Sequence, residues 1–175
     1  RIVSSEAGID GVFLEQLYTF GSPARDPRMR VVTVAYYALV DRHRFEALDT
    51  AARHLEVARI TVPWEGETGG PIELSDGSGK SVEPAFDHAD ILGMVVRRMR
   101  GKLGYTPIGF QLLPASFTLR QLQDIHEAVL GCALNKDSFR RRMLQSGELE
   151  ATGERQEDVG HRPAELYRFG RRSAV

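Results

Sequence analysis

The segment 118–146 sets the strongest limit on the fold, because it predicts two short helices joined by a tight turn. Thr118 is a suitable N-cap for the first helix, and Gly131 is a suitable residue to end it. Asn135 offers a second N-cap directly after the turn. Residues 148–170 then contain two short β-like pieces around a polar loop, as a hairpin would. The order helix, turn, helix, hairpin predicts a winged helix-turn-helix.

The second helix combines an apolar stripe with a basic face. Phe139 and Met143 lie one helical turn apart and share a face, so we expect them to anchor the helix to the domain. Lys136, Arg140 and Arg141 are expected on a face turned away from Phe139. Such a helix fits the major groove of DNA, where Arg and Lys bind guanine edges or phosphates. A basic helix face that is merely solvated is the alternative interpretation.

The predicted DNA-binding residues lie on the second helix, at the start of the first helix and on the wing. They are Thr118, Asn135, Lys136, Ser138, Arg140, Arg141, Arg142, His161 and Arg162.

Net charge is distributed unevenly along the 175 residues. Residues 1–96 carry a net charge of −6, residues 97–146 carry +6, and residues 147–175 carry −1. This asymmetry favours a module for an anionic partner joined to a module with another task. The single cysteine, Cys132, excludes an internal disulfide and suits the reducing cytoplasm, and we expect it to be buried. No apolar run approaches the length of a membrane span, so no membrane partner is expected.

The region before the winged helix predicts a second domain. The sequence predicts strands over 11–20, 31–40 and near 58–62, and a long helix over 87–103. The strand over 31–40 is expected to be buried on both faces, because it is almost continuously apolar. Residues 21–30 and 65–83 are predicted loops, since they are rich in Gly, Pro and Ser. We therefore expect domains at 1–104 and 105–175, with the helix 87–103 as linker.

Several long motifs resemble the NrtR family, the Nudix-related transcriptional regulators. They are "LLPASFTLRQLQDIHEAVLG", "LNKDSFRRRML" and "GHRPAELYRF" in the winged helix, and "VFLEQLYTFGSPARDPRMRVVTVAYYALV" and "AFDHADIL" before it. The resemblance implies an α+β protein, in which a Nudix-like α/β/α domain precedes the winged helix-turn-helix. The first residue is Arg1, and we expect the start of that domain to lie outside the chain.

The same resemblance implies a function. Family members repress genes of NAD metabolism, bind palindromic double-stranded operators as homodimers, and release DNA when ADP-ribose or a related NAD-derived ligand binds the Nudix-like domain. ADP-ribose is thus the expected effector, and no cofactor is expected. The resemblance also implies effector-binding residues near the segment 20–36. The candidates are Phe20 or Tyr36 against the adenine, and Arg25 and Arg28 on the phosphates.

Structural roles are the alternative for these four candidates. The arginines would then form loop salt bridges to Asp26, and the aromatic side chains would belong to the core.

The opening "RIVSSEAGI" resembles the end of a Nudix box, whose three carboxylates hold divalent metal ions against a pyrophosphate. Ile2 and Ser5 occupy two of the three carboxylate positions, and only Glu6 remains. We therefore expect a vestigial site with no bound metal, no catalytic residues and no hydrolase activity.

Two rival hypotheses stay open. The first is an active Nudix ADP-ribose pyrophosphatase with an appended DNA-binding domain. The second is a winged helix used for protein contacts, without a DNA role.

Overall fold

Two compact units make up the chain. The computed structural model describes residues 8, 9, 12, 14–47, 55–103, 112–157, 160 and 163–170. Unit 1 is Arg1–Gly101 and unit 2 is Lys102–Val175, a division that lies slightly before the boundary predicted at 104–105. Among the described residues, no helix is both long enough and apolar enough to cross a bilayer.

Unit 1 begins with an antiparallel hairpin. Strand β1 (Leu14–Phe20) pairs with β2 (Thr33–Ala38), and a bulge interrupts the register between Gln16 and Tyr18. The predicted burial of β2 on both faces is wrong, because burial alternates and Val34 and Tyr36 are exposed. The reason is topological: in an antiparallel hairpin only one face need be covered, even where the sequence is apolar throughout.

A small second sheet combines the strand predicted near 58–62 with two short strands inside the predicted loop at 65–83. After helix α1 (Arg42–Glu46) come three antiparallel strands, β3 (Arg59–Thr61), β4 (Glu73–Ser75) and β5 (Ser81–Val82). The turn between β4 and β5 is held by the Asp76 carboxylate, which accepts hydrogen bonds from the backbone N–H groups of Ser78 (2.8 Å) and Lys80 (2.9 Å). The Gly- and Ser-rich composition therefore reflects turn chemistry between very short strands.

Helix α2 (His88–Lys102) packs closely on this region through Gly93, which is buried. A Cβ atom on Gly93 would lie 1.8 Å from the Gly70 carbonyl oxygen, so only glycine permits this approach. The backbone N–H of Ile72 donates to the Ala89 carbonyl at 3.3 Å and fixes the same contact.

The late arginines of α2 tie the helix to the β1–β2 hairpin and to the loop between β3 and β4. Arg98 donates to the Leu17 carbonyl at 3.0 Å. Arg100 is buried, donates to the carbonyls of Trp64 (3.1 Å) and Gly66 (2.9 Å), and lies over the Trp64 ring at 4.8 Å. Part of the positive charge that the sequence placed near 97–102 is therefore used inside unit 1.

Unit 2 is a winged helix-turn-helix, as predicted. It comprises helices α3 (Leu119–Leu130) and α4 (Lys136–Gln145), followed by the antiparallel strands β6 (Leu149–Arg155) and β7 (Glu165–Phe169). Its core consists of buried side chains from the helices, the wing and the segment before α3: Leu113, Phe117, Leu119, Leu122, Phe139 and Tyr167. Phe117 and Tyr167 also exchange both backbone hydrogen bonds, at 2.9 and 2.8 Å, and so attach the wing to the start of α3.

Because of the close approach at Gly93, replacing this residue with alanine should destabilise the protein, the opposite of the usual effect of this change in a helix. Alanine normally stabilises a helix interior relative to glycine by up to about 1 kcal/mol. Gly93→Ala should instead destabilise unit 1 by about 1–3 kcal/mol, because the methyl group meets backbone. Trp64, the single tryptophan, allows urea unfolding of unit 1 to be followed by fluorescence. Gly77→Ala is the control, since a Cβ there meets open space, and equal behaviour of the two variants would contradict the packing described.

Candidate nucleic-acid interface

The start of α3 is held by a capping box. The Thr118 hydroxyl accepts from the Gln121 backbone N–H at 3.2 Å, and the Gln121 side-chain oxygen accepts from the Thr118 backbone N–H at 2.8 Å. Thr118 is buried and its hydroxyl holds the helix start, while its predicted contact with DNA stays a prediction. Gly131 ends the helix in the left-handed conformation, with a φ of 75°, as predicted.

A polar network inside the inter-helix turn determines where α4 begins. The buried Gln123 amide donates to the Glu127 carboxylate (2.8 Å) and to the Leu134 carbonyl (2.9 Å). The same carboxylate accepts the Leu134 backbone N–H at 2.9 Å, and this bond, followed by that of Gln123, lowers the pKa of Glu127. Sequence analysis missed this network because Gln123 and Glu127 look like ordinary polar helix residues. Cys132, expected to be buried in this turn, is exposed.

Helix α4 docks through Phe139. The Asn135 side chain caps the helix by accepting from the Ser138 backbone N–H at 2.9 Å. Phe139 is only 3% exposed, and Met143 packs against the same core, as their spacing predicted. The His126 ring meets the Phe139 ring edge to face, with the ring centroids 5.1 Å apart. Burial, followed by the nearby charge of Arg142, lowers the pKa of His126 to about 4, so this histidine is neutral near pH 7.

The four cations of α4 are exposed. Among the residues that the structure describes, no carboxylate lies within ion-pair distance of Lys136, Arg140, Arg141 or Arg142. Arg142 lies on the flank and covers the Phe139 ring, with its guanidinium carbon 5.5 Å from the ring centroid. The helix thus presents positive charge outward while its apolar face is buried, an arrangement suited to a polyanion.

The wing is an antiparallel hairpin with an irregular register. Strands β6 and β7 pair with a register shift between Ala151 and Arg155, and the backbone N–H of Gln156 donates to the Ala164 carbonyl at 2.9 Å. The predicted wing contacts His161 and Arg162 lie outside the described residues.

The predicted effector-binding arginines of unit 1 both have carboxylate partners. Arg25 forms a two-pronged pair with Asp87, with both N–O distances at 2.9 Å, also bonds the Thr33 hydroxyl, and has a side chain only 6% exposed. Arg28 pairs with Asp26 at 2.8 Å, as in the structural alternative, and remains 70% exposed. Sequence reasoning missed Asp87 because it lies 62 residues from Arg25.

The two aromatic candidates lie on opposite faces of the β1–β2 hairpin. Phe20 is opposite Thr33 and packs edge to face on Tyr18, with the ring centroids 5.6 Å apart. Tyr36 is opposite Gln16, and its hydroxyl donates to the Gln16 side chain at 3.3 Å. Since side chains alternate along β2, one adenine cannot contact both rings from the same side.

The metal-binding remnant falls in a part of the chain that is not described. Ile2, Ser5 and Glu6 lie outside the described residues. Among the residues that are described, no three His, Cys, Asp or Glu side chains are grouped as metal ligands.

Known proteins of the NrtR group are similar to this chain. Residues 109–169 match the NrtR DNA-binding winged helix domain. A protein of Acinetobacter baylyi named as an ADPR responsive transcriptional repressor is 37% identical over 169 residues, which is 97% of this chain and 61% of that protein. The winged helix is thus of the NrtR type. The chain spans about three fifths of the length of the Acinetobacter baylyi relative.

Solved structures agree with both halves of the predicted fold. Shewanella oneidensis NrtR superimposes with a TM-score of 0.66 at 27% identity, and its complex with a 27mer DNA superimposes with a TM-score of 0.69 at 28% identity. Both matches cover 95% of this chain and 68% of the other. A MutT/nudix family protein from Enterococcus faecalis matches with a TM-score of 0.66 at 26% identity, over 95% of this chain and 66% of that one. The Nudix-like domain followed by a winged helix is thereby confirmed.

The buried His126 predicts a pH-dependent stability of unit 2. Its folded-state pKa, about 4, lies below the ordinary value of 6.5, so the unfolded chain takes up the proton first as pH falls. Unit 2 should therefore lose up to about 3 kcal/mol between pH 6.5 and 4 through this group. His126→Leu removes that component, and thermal unfolding by circular dichroism at several pH values measures it. Identical pH profiles for wild type and variant would show that His126 is not responsible.

Proposed function

We propose that the chain acts as a DNA-binding transcriptional repressor of NAD-metabolism genes, released from DNA by ADP-ribose or a related NAD-derived ligand. The observation that carries the proposal is the outward face of α4, where Lys136, Arg140 and Arg141 have no carboxylate partner among the described residues. Two relatives support it, since one is named an ADPR responsive transcriptional repressor and another was solved with a 27mer DNA.

The α4 cations supply the affinity for DNA in this proposal. Each cation that neutralises a phosphate releases condensed counterions, which makes binding both tight and salt-dependent. The N-terminal residues of a recognition helix reach the base edges, so Lys136 and Arg140 are placed to contact bases or the phosphates beside them. We propose a homodimer on a palindromic operator, whose half-sites would lie one helical turn, about 34–36 Å, apart.

The Nudix-like unit acts in this proposal as a sensor without catalysis. Ile2 and Ser5 stand at two positions where the enzymes carry carboxylates, and neither can replace the hard oxygen ligands that Mg²⁺ requires. An active ADP-ribose pyrophosphatase with a DNA-binding domain is the second candidate, favoured by the similarity to a MutT/nudix family protein.

Arg28 is the best candidate for contact with the effector phosphates. Its side chain is 70% exposed, whereas that of its partner Asp26 is only 10% exposed, so a phosphate would bind the open side of the guanidinium and leave the ion pair in place. The Phe86 ring lies 5.1 Å from its guanidinium carbon and offers an exposed aromatic surface beside it. Arg25 is less available, because its partner Asp87 would lose a buried cation. The effector shifts the protein from DNA only through its differential affinity for the two states.

Loss of Lys136 or Arg140, the first two cations of α4, should weaken DNA binding without unfolding the protein. Arg140→Ala should lower affinity by about 1–3 kcal/mol, as loss of a base contact does, and Lys136→Ala should weaken binding through loss of a phosphate contact, because both side chains are exposed. Fluorescence anisotropy with a duplex selected from a randomised library measures the loss. Lys80→Ala removes the same charge from the exposed turn of unit 1 and should leave affinity unchanged. Affinity that Arg140→Ala leaves intact would refute the assigned orientation of α4.

ADP-ribose should weaken binding to the selected duplex and remain intact while it does so. The reason is that the sensor unit binds the pyrophosphate but lacks two of three metal-binding carboxylates. The titration is run with Mg²⁺ present, and the same samples are analysed by chromatography for AMP and ribose phosphate. Rapid appearance of these products would establish the hydrolase alternative instead. Binding that is unaffected by ADP-ribose would reject ADP-ribose as the effector.

A further inference from the structure

A cavity of about 540 Å³ opens in unit 2 between the start of α3, the first turns of α4 and the base of the wing. We call it the wing groove. Phe139 lines it together with four cations, Arg120, Lys136, Arg140 and Arg155. Two of these, Arg120 and Arg155, were not among the predicted DNA-binding residues.

Within the described residues, three of the four cations have no carboxylate partner. Arg120 is paired with Asp124 at 2.7 Å and approaches Glu127 at 4.0 Å. Lys136, Arg140 and Arg155 have no carboxylate within ion-pair distance in the described part of the chain. The groove therefore concentrates positive charge from two separate elements, α4 and the wing.

One acidic side chain, Glu165, also lines the groove, but it is already engaged. Its carboxylate accepts a hydrogen bond from the Tyr167 hydroxyl at 2.6 Å. Burial and Glu165 raise the pKa of Tyr167, and the nearby Arg140 opposes them with a smaller, lowering effect. Glu165 lies directly opposite Arg155 in the β6–β7 register, yet the two do not form an ion pair. As far as the described residues show, the Arg155 guanidinium is therefore open to an anion from outside.

We propose that the wing groove holds a backbone phosphate of duplex DNA between Arg155 of the wing and Lys136 of α4. The inference rests on the proposed DNA-binding function and assigns it an additional residue, Arg155. A phosphate contact positions the protein on DNA without reading sequence, whereas the neighbouring Arg140 lies next to the base-reading face. Arg155 and Lys136 then bind the same DNA strand. This shared contact fixes the angle at which α4 enters the major groove of the DNA.

The experiment measures the salt dependence of binding by the full chain to two duplexes of equal length, one selected by binding and one scrambled. Loss of one phosphate contact should reduce the slope of log affinity against log salt by about 0.9. Arg155→Ala should therefore weaken binding about eightfold at about 0.1 M salt and about fourfold at about 0.2 M. The loss should be equal for both duplexes, because the contact carries no sequence information.

Two further variants keep the test specific. Arg168→Ala removes the same charge from the same hairpin, but Arg168 is already paired with Glu150 at 3.1 Å, so its salt slope should match wild type. Arg155→Lys should retain the wild-type slope, since an ammonium group also neutralises a phosphate. An Arg155→Ala titration that superimposes on that of Arg168→Ala would overturn the inference, as would a loss confined to the selected duplex. If wild type bound neither duplex, the proposed function itself would fail.

Discussion

The burial of Phe139 is the interaction on which the outward basic surface of α4 depends. Its ring lies in the core of unit 2 and meets the His126 ring edge to face. Burying Phe139 fixes how α4 is rotated about its own axis. Lys136, Arg140 and Arg141 therefore all face outward. The network of Gln123, Glu127 and Leu134 then determines where the helix begins.

The cationic side chains of the two units differ in whether they have partners within the protein. In unit 1, Arg25 and Arg100 are buried and satisfied by Asp87 and by backbone carbonyls. In unit 2, the α4 cations have no such carboxylate partners among the described residues. The positive net charge of residues 97–146 therefore combines structural arginines of α2 with a cationic surface on α4.

The winged helix could be predicted from sequence because its signals are local. Thr118, Gly131 and Asn135 mark helix ends by their own chemistry, and the spacing of Phe139 and Met143 identifies the docked face. The fold of unit 1 was harder to predict, because its main contacts join residues that lie far apart in the sequence. The Arg25–Asp87 pair spans 62 residues, and the close approach of Gly93 to Gly70 leaves no local pattern. The strands β4 and β5 are too short for alternation to reveal.

In the proposed function, unit 2 meets DNA through the outward face of α4. Amide chemical-shift changes during titration of the full chain with duplex DNA would show where DNA binds, since they locate the contact without altering a residue. The largest changes should fall within residues 135–142 and on the wing, while the amides around Arg98 and Arg100 should change little. Changes centred on unit 1, or an unperturbed α4 in a saturated complex, would contradict it.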